Sequence, residues 1–276
     1  MMPESFCDAE KRGPVGFSLL EVLVVMGIVL SLTAVLLPVG RACLERARAA
    51  REISGARTAI LAWREYTTEN NGSVIPGYRQ DSSAKNAAGQ SLSFPANARY
   101  VFRLAPYLNF RIKGTLLVND QEKISSDYEA SMAPSFGINV TFVGGDFGSG
   151  SDKIPSDANF ATYGKFVVTN INEIHAPASL LVFASARITD PALGVQDGYN
   201  AVKSPYFQGR RWASAYEEKN PYYDYGAVHP RFDGRAVCAM ADGHVEMLSF
   251  DQLLDMRRWS NQAAQADDPD WTLQPL

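Results

Sequence analysis

One segment restricts the possible folds of this chain more than any other: the apolar run from Phe17 to Val39, FSLLEVLVVMGIVLSLTAVLLPV. It is 23 residues long, and Glu21 is its only charged residue. As an α-helix rising ~1.5 Å per residue it spans about 34 Å, enough for the ~30 Å hydrocarbon core of a bilayer. A secretory signal peptide has a shorter apolar stretch and an A-x-A-like cleavage site, which does not follow here. The run therefore predicts a retained transmembrane helix over 17–39.

A polar leader precedes this run and ends in Gly16, directly before the apolar Phe17. Glu21 lies five residues past Gly16, and a carboxylate near hydrocarbon is costly enough that we expect it to have a function and a partner. Hydrolysis between Gly16 and Phe17 would create a charged α-amino group that can pair with Glu21 of a neighbouring copy. The alternative is that Glu21 lies at the level of the lipid headgroups as a tolerated end residue.

The sequence of residues 16–24, G-F-S-L-L-E-V-L-V, resembles the cleavage and methylation motif of type IV prepilins and type II secretion pseudopilins. The resemblance implies that a membrane prepilin peptidase removes residues 1–16 on the cytoplasmic side and that Phe17 is then N-methylated. It also implies that the retained helix assembles with those of other pilin-like subunits and contains a proline, as at Pro38. A plain helix end at the membrane surface is the other interpretation of Pro38.

Basic residues near the run bear on its orientation in the membrane. More of them follow the run than precede it: Arg41, Arg46, Arg48 and Arg51 against Lys11 and Arg12. Counting basic residues alone favours the C-terminal side as cytoplasmic. The resemblance implies the opposite, and we adopt it because cleavage requires a cytoplasmic leader. The chain is then expected to cross the inner membrane once, with a periplasmic C-terminal domain, before extraction into a filament.

After the membrane run, apolar residues continue at helical spacing, at Ala49, Ile53, Ala56, Ile60 and Trp63. This pattern predicts that one helix continues amphipathically over 17–69, with Arg48, Arg51, Glu52 and Arg64 off the apolar stripe. The segment Asn70-Asn71-Gly72 favours the left-handed conformation that ends a helix. We expect a following domain to cover the stripe.

Residues 70–260 consist of short apolar runs separated by Gly, Pro, Asn and Asp, which indicates a β-rich globular domain, and 261–276 read as a polar tail. The strongest strand signal is RAVCAMA-DG-HVEMLSF, in which Asp242-Gly243 predicts a two-residue type I′ turn that pairs Ala241 with His244. That register places Cys238 on the core face with Met240, Val245 and Met247. The fold class is therefore α+β. The resemblance implies a type IV pilin-like form, a long helix packed by its second half on an antiparallel sheet with long loops.

The C-terminal half carries a second resemblance, to the H-x-G...F-x-D-G-H element of long pseudopilin-like proteins. Its residues here are V-H-P-R-F-D-G-R at 228–235 and M-A-D-G-H-V at 240–245, and the hairpin motif residues are His229, Asp242, Gly243 and His244. Cys238 and Ala239 depart from the pattern that usually precedes the turn.

Two groups of polar residues are candidate metal ligands. His229, Asp242 and His244 would supply the ligand types of a zinc or iron site if they met at one end of the sheet. However, the turn explains Asp242, and neither H-E-x-x-H nor a Cys pair accompanies the histidines. Asp146 and Asp152 lie in a glycine-rich loop that could ligate calcium but lacks the EF-hand pattern, so a plain surface loop is favoured. The sequence predicts no metal and no cofactor.

Charge and motifs limit the possible functions. A net charge of −4 and a pI near 5.5 give no bulk attraction to nucleic acid, and the sequence has no G-x-S-x-G, Walker A or G-x-G-x-x-G pattern. The resemblance of residues 16–24 to prepilins implies a pilin-like structural subunit rather than an enzyme. The alternative is a membrane-tethered periplasmic module that binds polysaccharide or protein through five aromatic residues within 212–225, although core packing explains the same residues. A metal-dependent hydrolase is the third possibility.

Overall fold

The computed structural model describes residues 18–148, 156–190 and 194–276. The predicted leader 1–16, the Gly16–Phe17 junction and Asp152 lie outside these ranges. The chain divides into two compact units, the first ending at Arg46 and the second beginning at Ala47.

A single helix, α1, runs over Leu19–Glu69. Pro38 lies inside α1, so the interpretation of this residue as a helix end is wrong. Every described side chain from Leu19 to Arg46 is exposed, and this part of the helix is long and apolar enough to cross a membrane. The prediction of a long apolar N-terminal helix is therefore confirmed.

The second part of α1 packs into the globular unit along the predicted stripe. Ala56, Ile60 and Trp63 have no exposed surface, while Ala49 and Ile53 are partly buried against them. The helix ends at Glu69, as expected. Asn71 and Gly72, just after it, adopt the left-handed conformation, with φ angles of +54° and +82°. The Gly72 N–H donates to the Thr67 carbonyl at 2.7 Å and closes the last turn.

Among the described residues, seven strands follow in the second unit: β1 Phe136–Asn139, β2 Leu181–Ser185, β3 Ile188–Asp190, β4 Gly194–Gln196, β5 Ala201–Val202, β6 Arg235–Met240 and β7 Val245–Ser249. Five of them form a sheet in the order β5-β1-β2-β6-β7, and β3 pairs with β4 in a separate ribbon. The β1–β5 pair is parallel and the others are antiparallel. The sheet is thus mixed, which corrects the antiparallel prediction; the long connection from β1 to β5 allows a parallel crossover.

The sheet separates two apolar clusters. The helix-side core contains Ile60 and Trp63 of α1 with Val237 and Ala239 of β6. The far core contains Cys238 and Met240 of β6, packed with Trp212, Phe250 and Trp259. Because successive β6 side chains point to opposite faces and both faces are covered, the strand carries little polar surface.

The β6–β7 hairpin forms, but in a different register from the predicted one. Ala239 pairs with Val245, and the Met240 N–H donates to the His244 carbonyl at 3.0 Å, so three residues make the loop. Only Gly243 of the loop has a positive φ, +101°, because a three-residue loop needs one left-handed position where type I′ needs two. Val245 and Met247 consequently pack on the helix-side core, opposite Cys238. Cys238 is buried, which raises the pKa of its thiol.

The remaining described regular structure consists of short helices: α2 Tyr100–Leu104, α3 Asp127–Met132, α4 Asp157–Tyr163, α5 Phe250–Leu253 and α6 Asn261–Ala266, with 3-10 turns at Ala96–Ala98, Ala105–Leu108, Asn119–Lys123, Ile171–Glu173, Tyr222–Tyr225 and Met256–Arg258. Residues 261–276, predicted as a polar tail, instead form α6 and supply Ala263 and Leu273 to the far core. Because the segment is mostly polar, its sequence did not indicate that these two apolar residues are buried.

Candidate functional site

Glu21 and Ser18 form a reciprocal pair at the start of α1. The Ser18 N–H donates to Glu21 Oε2 at 2.8 Å, and the Glu21 N–H donates to Ser18 Oγ at 3.2 Å. This is a capping box, and S-x-x-E before an apolar run is its sequence signature, which the sequence analysis missed. The box holds a carboxylate at the positive end of the helix dipole, in the first turn of an otherwise apolar surface.

A second carboxylate of α1, Glu52, is buried in the globular unit with 1% of its surface exposed. The hydroxyl of Ser185, the last residue of β2, donates to Glu52 Oε1 at 2.5 Å. Arg231 Nε lies 3.7 Å from the same oxygen. The sequence analysis had placed Glu52 off the apolar stripe. At 100° per residue, however, Glu52 lies within about 20° of Trp63 around the helix, and this angle is the signal that would have found it.

Arg231 joins Glu52 to the segment that follows β2. Its Nη1 donates to the Asp197 carbonyl at 2.7 Å and its Nη2 to the Ala186 carbonyl at 2.5 Å, whereas its Nε has no hydrogen-bond partner among the described residues. Burial raises the pKa of Glu52, and the charge of Arg231 and the hydroxyl of Ser185 partly oppose that shift. The pair therefore fixes the helix to the sheet.

His229 lies beside this pair and is 6% exposed. Its backbone N–H donates to the Ser185 carbonyl at 2.9 Å, its Nε2 is 3.5 Å from Arg187 Nη1, and its Nδ1 is 3.5 Å from Asp197 Oδ1. Burial, together with the positive charges of Arg231 and Arg187, lowers the pKa of His229 to about 3. The imidazole is accordingly neutral at physiological pH.

Asp242 and His244 lie at the opposite end of β2 from His229. Asp242 Oδ1 accepts from the His244 N–H at 3.0 Å and is 2.7 Å from His244 Nδ1, and the Asp242 N–H donates to the Pro177 carbonyl, before β2 begins. From Leu181 to Ser185 a strand advances about 13 Å at ~3.3 Å per residue. The structure therefore does not bring the three candidate metal ligands together.

The hairpin turn contacts α1 directly. Arg64 Nη1 donates to the Asp242 carbonyl at 2.5 Å, and a Cβ added at Gly243 would come within 3.0 Å of the same guanidinium. Glu52 and Arg64 are about 18 Å apart along the helix at ~1.5 Å per residue. The two parts of the C-terminal motif thus attach the sheet to α1 at two separate points, through Arg231 and through Asp242.

The predicted calcium loop is only partly described. Asp146 Oδ1 accepts from the Gly148 N–H at 2.9 Å, as in an ordinary Asx turn. Within residues 18–148, 156–190 and 194–276, no group of three or more His, Cys, Asp or Glu side chains is arranged to hold a metal ion.

The aromatic residues of 212–225 divide into two groups. Trp212 and Tyr225 are each 3% exposed and pack in the far core, so core packing explains them. Tyr223 is 65% exposed. Together with Tyr216 and Tyr222 it lines a cavity of about 530 Å³, which His229 also lines.

Comparison of the chain with protein-family models, curated proteins and solved structures finds no match.

Proposed function

We propose that the chain is a pilin-like structural subunit of a type IV pilus or type II secretion pseudopilus, assembled through α1 after removal of residues 1–16. The observation that carries the proposal is the division of α1. Its described side chains from Leu19 to Arg46 are all exposed, and the same helix continues into a covered amphipathic part. Apolar helices of neighbouring subunits can pack against such a surface in a filament.

The proposal gives each N-terminal residue a role. Prepilin peptidase cleaves after Gly16, Phe17 becomes the N-methylated terminus, and Glu21 pairs with the amino group of an adjacent subunit. Pro38 lies in the part of the helix that would contact other subunits in a filament. The partners are the peptidase, other pilin-like subunits and the inner membrane, with the leader cytoplasmic and the second unit periplasmic. Nucleic acid and cofactors have no part in it.

The capping box supports the role of Glu21. Ser18, the partner of Glu21 in the box, follows Phe17 directly in the sequence, so the carboxylate is held in the helical turn next to the proposed amino terminus. In a low-dielectric bundle of helices, a charged amino group and a carboxylate are each costly alone and stabilise each other when paired. A solitary membrane anchor needs no carboxylate at this position.

Co-expression with a prepilin peptidase, followed by intact-mass measurement of the membrane-extracted protein, tests the processing step. We expect 276 − 16 = 260 residues with an added methyl group on Phe17. Crosslinking mass spectrometry of the same membranes should then join residues 17–39 of neighbouring subunits. Full-length protein alone, or a strictly monomeric processed chain, would contradict the proposal.

Two variants separate the charge of Glu21 from its capping role. Glu21→Gln keeps a side-chain acceptor for the Ser18 N–H but removes the charge, whereas Ser18→Ala breaks the box and keeps the charge. We expect processed Glu21→Gln to enter filaments at least about tenfold less than wild type, the equivalent of ~1.4 kcal/mol, and Ser18→Ala to assemble. If Glu21→Gln assembles normally at physiological salt, the pairing role is wrong.

A further inference from the structure

The aromatic cavity near His229 is large enough for a small ligand. Its volume of about 530 Å³ lies in the range of small-molecule sites. Its walls come from the segment 216–225, from Arg187 and from the β3–β4 ribbon through Thr189 and Val195. No part of the proposed filament contact uses these residues, since they belong to the second unit.

Tyr223 is the most exposed of the tyrosines that line the cavity, and its ring contacts a second tyrosine. Its ring centroid is 5.6 Å from that of Tyr222, edge to face, and Tyr222 in turn lies 6.3 Å from Tyr199. Next to it, the Tyr225 hydroxyl accepts from the Glu217 N–H at 2.7 Å and fixes the segment. An exposed tyrosine presents a large contact area with few rotatable bonds, which is typical of binding surfaces.

Tyr223 also lines a second cavity, of about 490 Å³. Tyr163, Gln208 and Lys203 are among its lining residues, and the Gln208 amide donates to the Tyr163 hydroxyl at 2.6 Å. Within the described part of the chain, these two cavities share Tyr223 as a wall. A wall shared by two cavities suits an elongated ligand that contacts Tyr223 and places one part in each cavity.

The charges around the first cavity balance one another. Arg187 Nη1 is 3.7 Å from Glu218 Oε1, and Lys219 Nζ is 3.0 Å from Glu217 Oε2. His229 adds a buried Nδ1 that has no hydrogen-bond partner among the described residues. The second cavity is likewise lined by charges of both signs, Lys203, Arg211 and Asp146. The walls thus offer flat rings and polar groups with charges of both signs, which favours a neutral polar ligand over a highly charged one.

We propose that Tyr223 and the two cavities that it lines bind a neutral oligosaccharide. A sugar ring has an apolar C–H face that stacks on tyrosine and hydroxyl edges that exchange hydrogen bonds with side chains such as Asn220 and Glu218. Sugar units linked to the stacked one would occupy the two cavities. The inference concerns a surface of the second unit and holds whether or not α1 assembles into a filament.

Binding is tested on the full chain in a detergent without a sugar headgroup, such as lauryldimethylamine oxide. The probes are maltohexaose, cellohexaose, mannohexaose and chitohexaose, titrated by calorimetry. We expect saturable binding of at least one of them, about tenfold weaker in Tyr223→Ala and within about threefold of wild type in Tyr223→Phe, which keeps the stacking face. The matched control is Tyr128→Ala, a half-exposed tyrosine that lines neither cavity, and it should bind as wild type does.

Three outcomes would overturn the proposal. Either none of the four hexasaccharides binds, or binding survives Tyr223→Ala, or Tyr128→Ala weakens it equally. A decaproline peptide serves as a protein-type probe, because polyproline also stacks on tyrosine. Binding of this peptide that depends on Tyr223, with no saccharide binding, would also overturn the proposal and assign the surface to a protein ligand.

Discussion

The two parts of α1 have the same secondary structure and opposite surroundings. From Leu19 to Arg46 the described apolar side chains are exposed, whereas Ala56, Ile60 and Trp63 are completely covered by the globular unit. Soluble proteins do not leave an apolar surface of this extent open to water. The covered part is explained within the chain, and the exposed part is long and apolar enough to cross a membrane. The exposed part is therefore where the proposed filament contact would form.

The two carboxylates of α1 repeat this comparison. Glu52 is buried and meets Ser185 and Arg231, both in the same globular unit. Glu21 is exposed and its described contacts are with Ser18 in the same turn. One carboxylate fixes the domain on the helix, and the other is available to a neighbouring molecule.

Separation of the two parts should have the largest effect. A fragment of residues 47–276 retains the contacts of Arg48, whose carbonyl accepts from Asn119 Nδ2 at 3.1 Å and whose guanidinium lies 3.6 Å from Asp120. We expect it to remain in the supernatant without detergent and to melt cooperatively by circular dichroism, while the full chain sediments with membranes. A fragment that also needs detergent would show that the second unit has its own membrane-binding surface.

The same substitution in each part should then differ in its effect on stability. Ile60→Ala removes a fully buried side chain and should lower the free energy of unfolding of the second unit by about 2–5 kcal/mol. Ile28 is 55% exposed. Ile28→Ala should therefore change the free energy of unfolding of the second unit by less than about 0.5 kcal/mol. Urea titration of the full chain in detergent, followed by tryptophan fluorescence, measures both, because Trp63, Trp212, Trp259 and Trp271 all lie in the second unit. Equal effects would refute the division of α1.

The sequence predicted the parts of the fold that depend on local patterns. The length of α1, its end at Asn71-Gly72, the stripe through Ile60 and the strands around Asp242-Gly243 all follow from periodicity and from residues that tolerate a positive φ. The parallel β5 did not follow, because its pairing with β1 depends on residues far apart in the chain. The hairpin register also failed, because Asp-Gly fits both a two-residue and a three-residue loop.

The site was less predictable than the fold. A glutamate on an amphipathic helix suggests an exposed position, and only its angle relative to Trp63 shows that Glu52 faces the core. The contacts of Arg231 and Asp242 with α1 join residues that are far apart in the sequence, so no local spacing reveals them. The leader and the Gly16–Phe17 junction remain predictions from the sequence motif.

Replacing each of the two carboxylates of α1, Glu52 and Glu21, by glutamine gives a third comparison. Glu52→Gln keeps an acceptor for the Ser185 hydroxyl but leaves the Arg231 guanidinium, 13% exposed, without its counter-charge. We expect a loss of about 2 kcal/mol in the free energy of unfolding, because a mostly buried charge is left unpaired. Glu21→Gln should leave that free energy unchanged in the same urea titration. If Glu52→Gln is as stable as wild type, the charge of Glu52 does not fix the helix to the sheet.

The smallest expected effect concerns His229, whose contribution to stability should depend on pH. Because the pKa of His229 falls from its ordinary 6.5 to about 3 on folding, the unfolded chain binds one more proton between these values. Stability contributed by the neutral imidazole is therefore full above pH 6.5 and is lost as the pH falls, by about 1 kcal/mol from pH 6 to pH 5. The pKa of Glu52 is raised by burial, so the stability linked to Glu52 changes in the opposite direction: it decreases as the pH rises above the ordinary pKa of 4.5.

The difference between wild type and His229→Gln isolates the histidine from Glu52, since Glu52 is present in both. Chemical denaturation at pH 5, 6 and 7 should give His229→Gln a shallower loss of stability on acidification than wild type. His175→Gln, at an exposed histidine, serves as the control and should retain the wild-type slope. Parallel slopes for wild type and His229→Gln would mean that the pKa of His229 does not change on folding, because the carboxylate of Asp197, 3.5 Å from Nδ1, offsets the effect of burial. Below pH 6.5 that result would also place a positive charge beside the aromatic cavity.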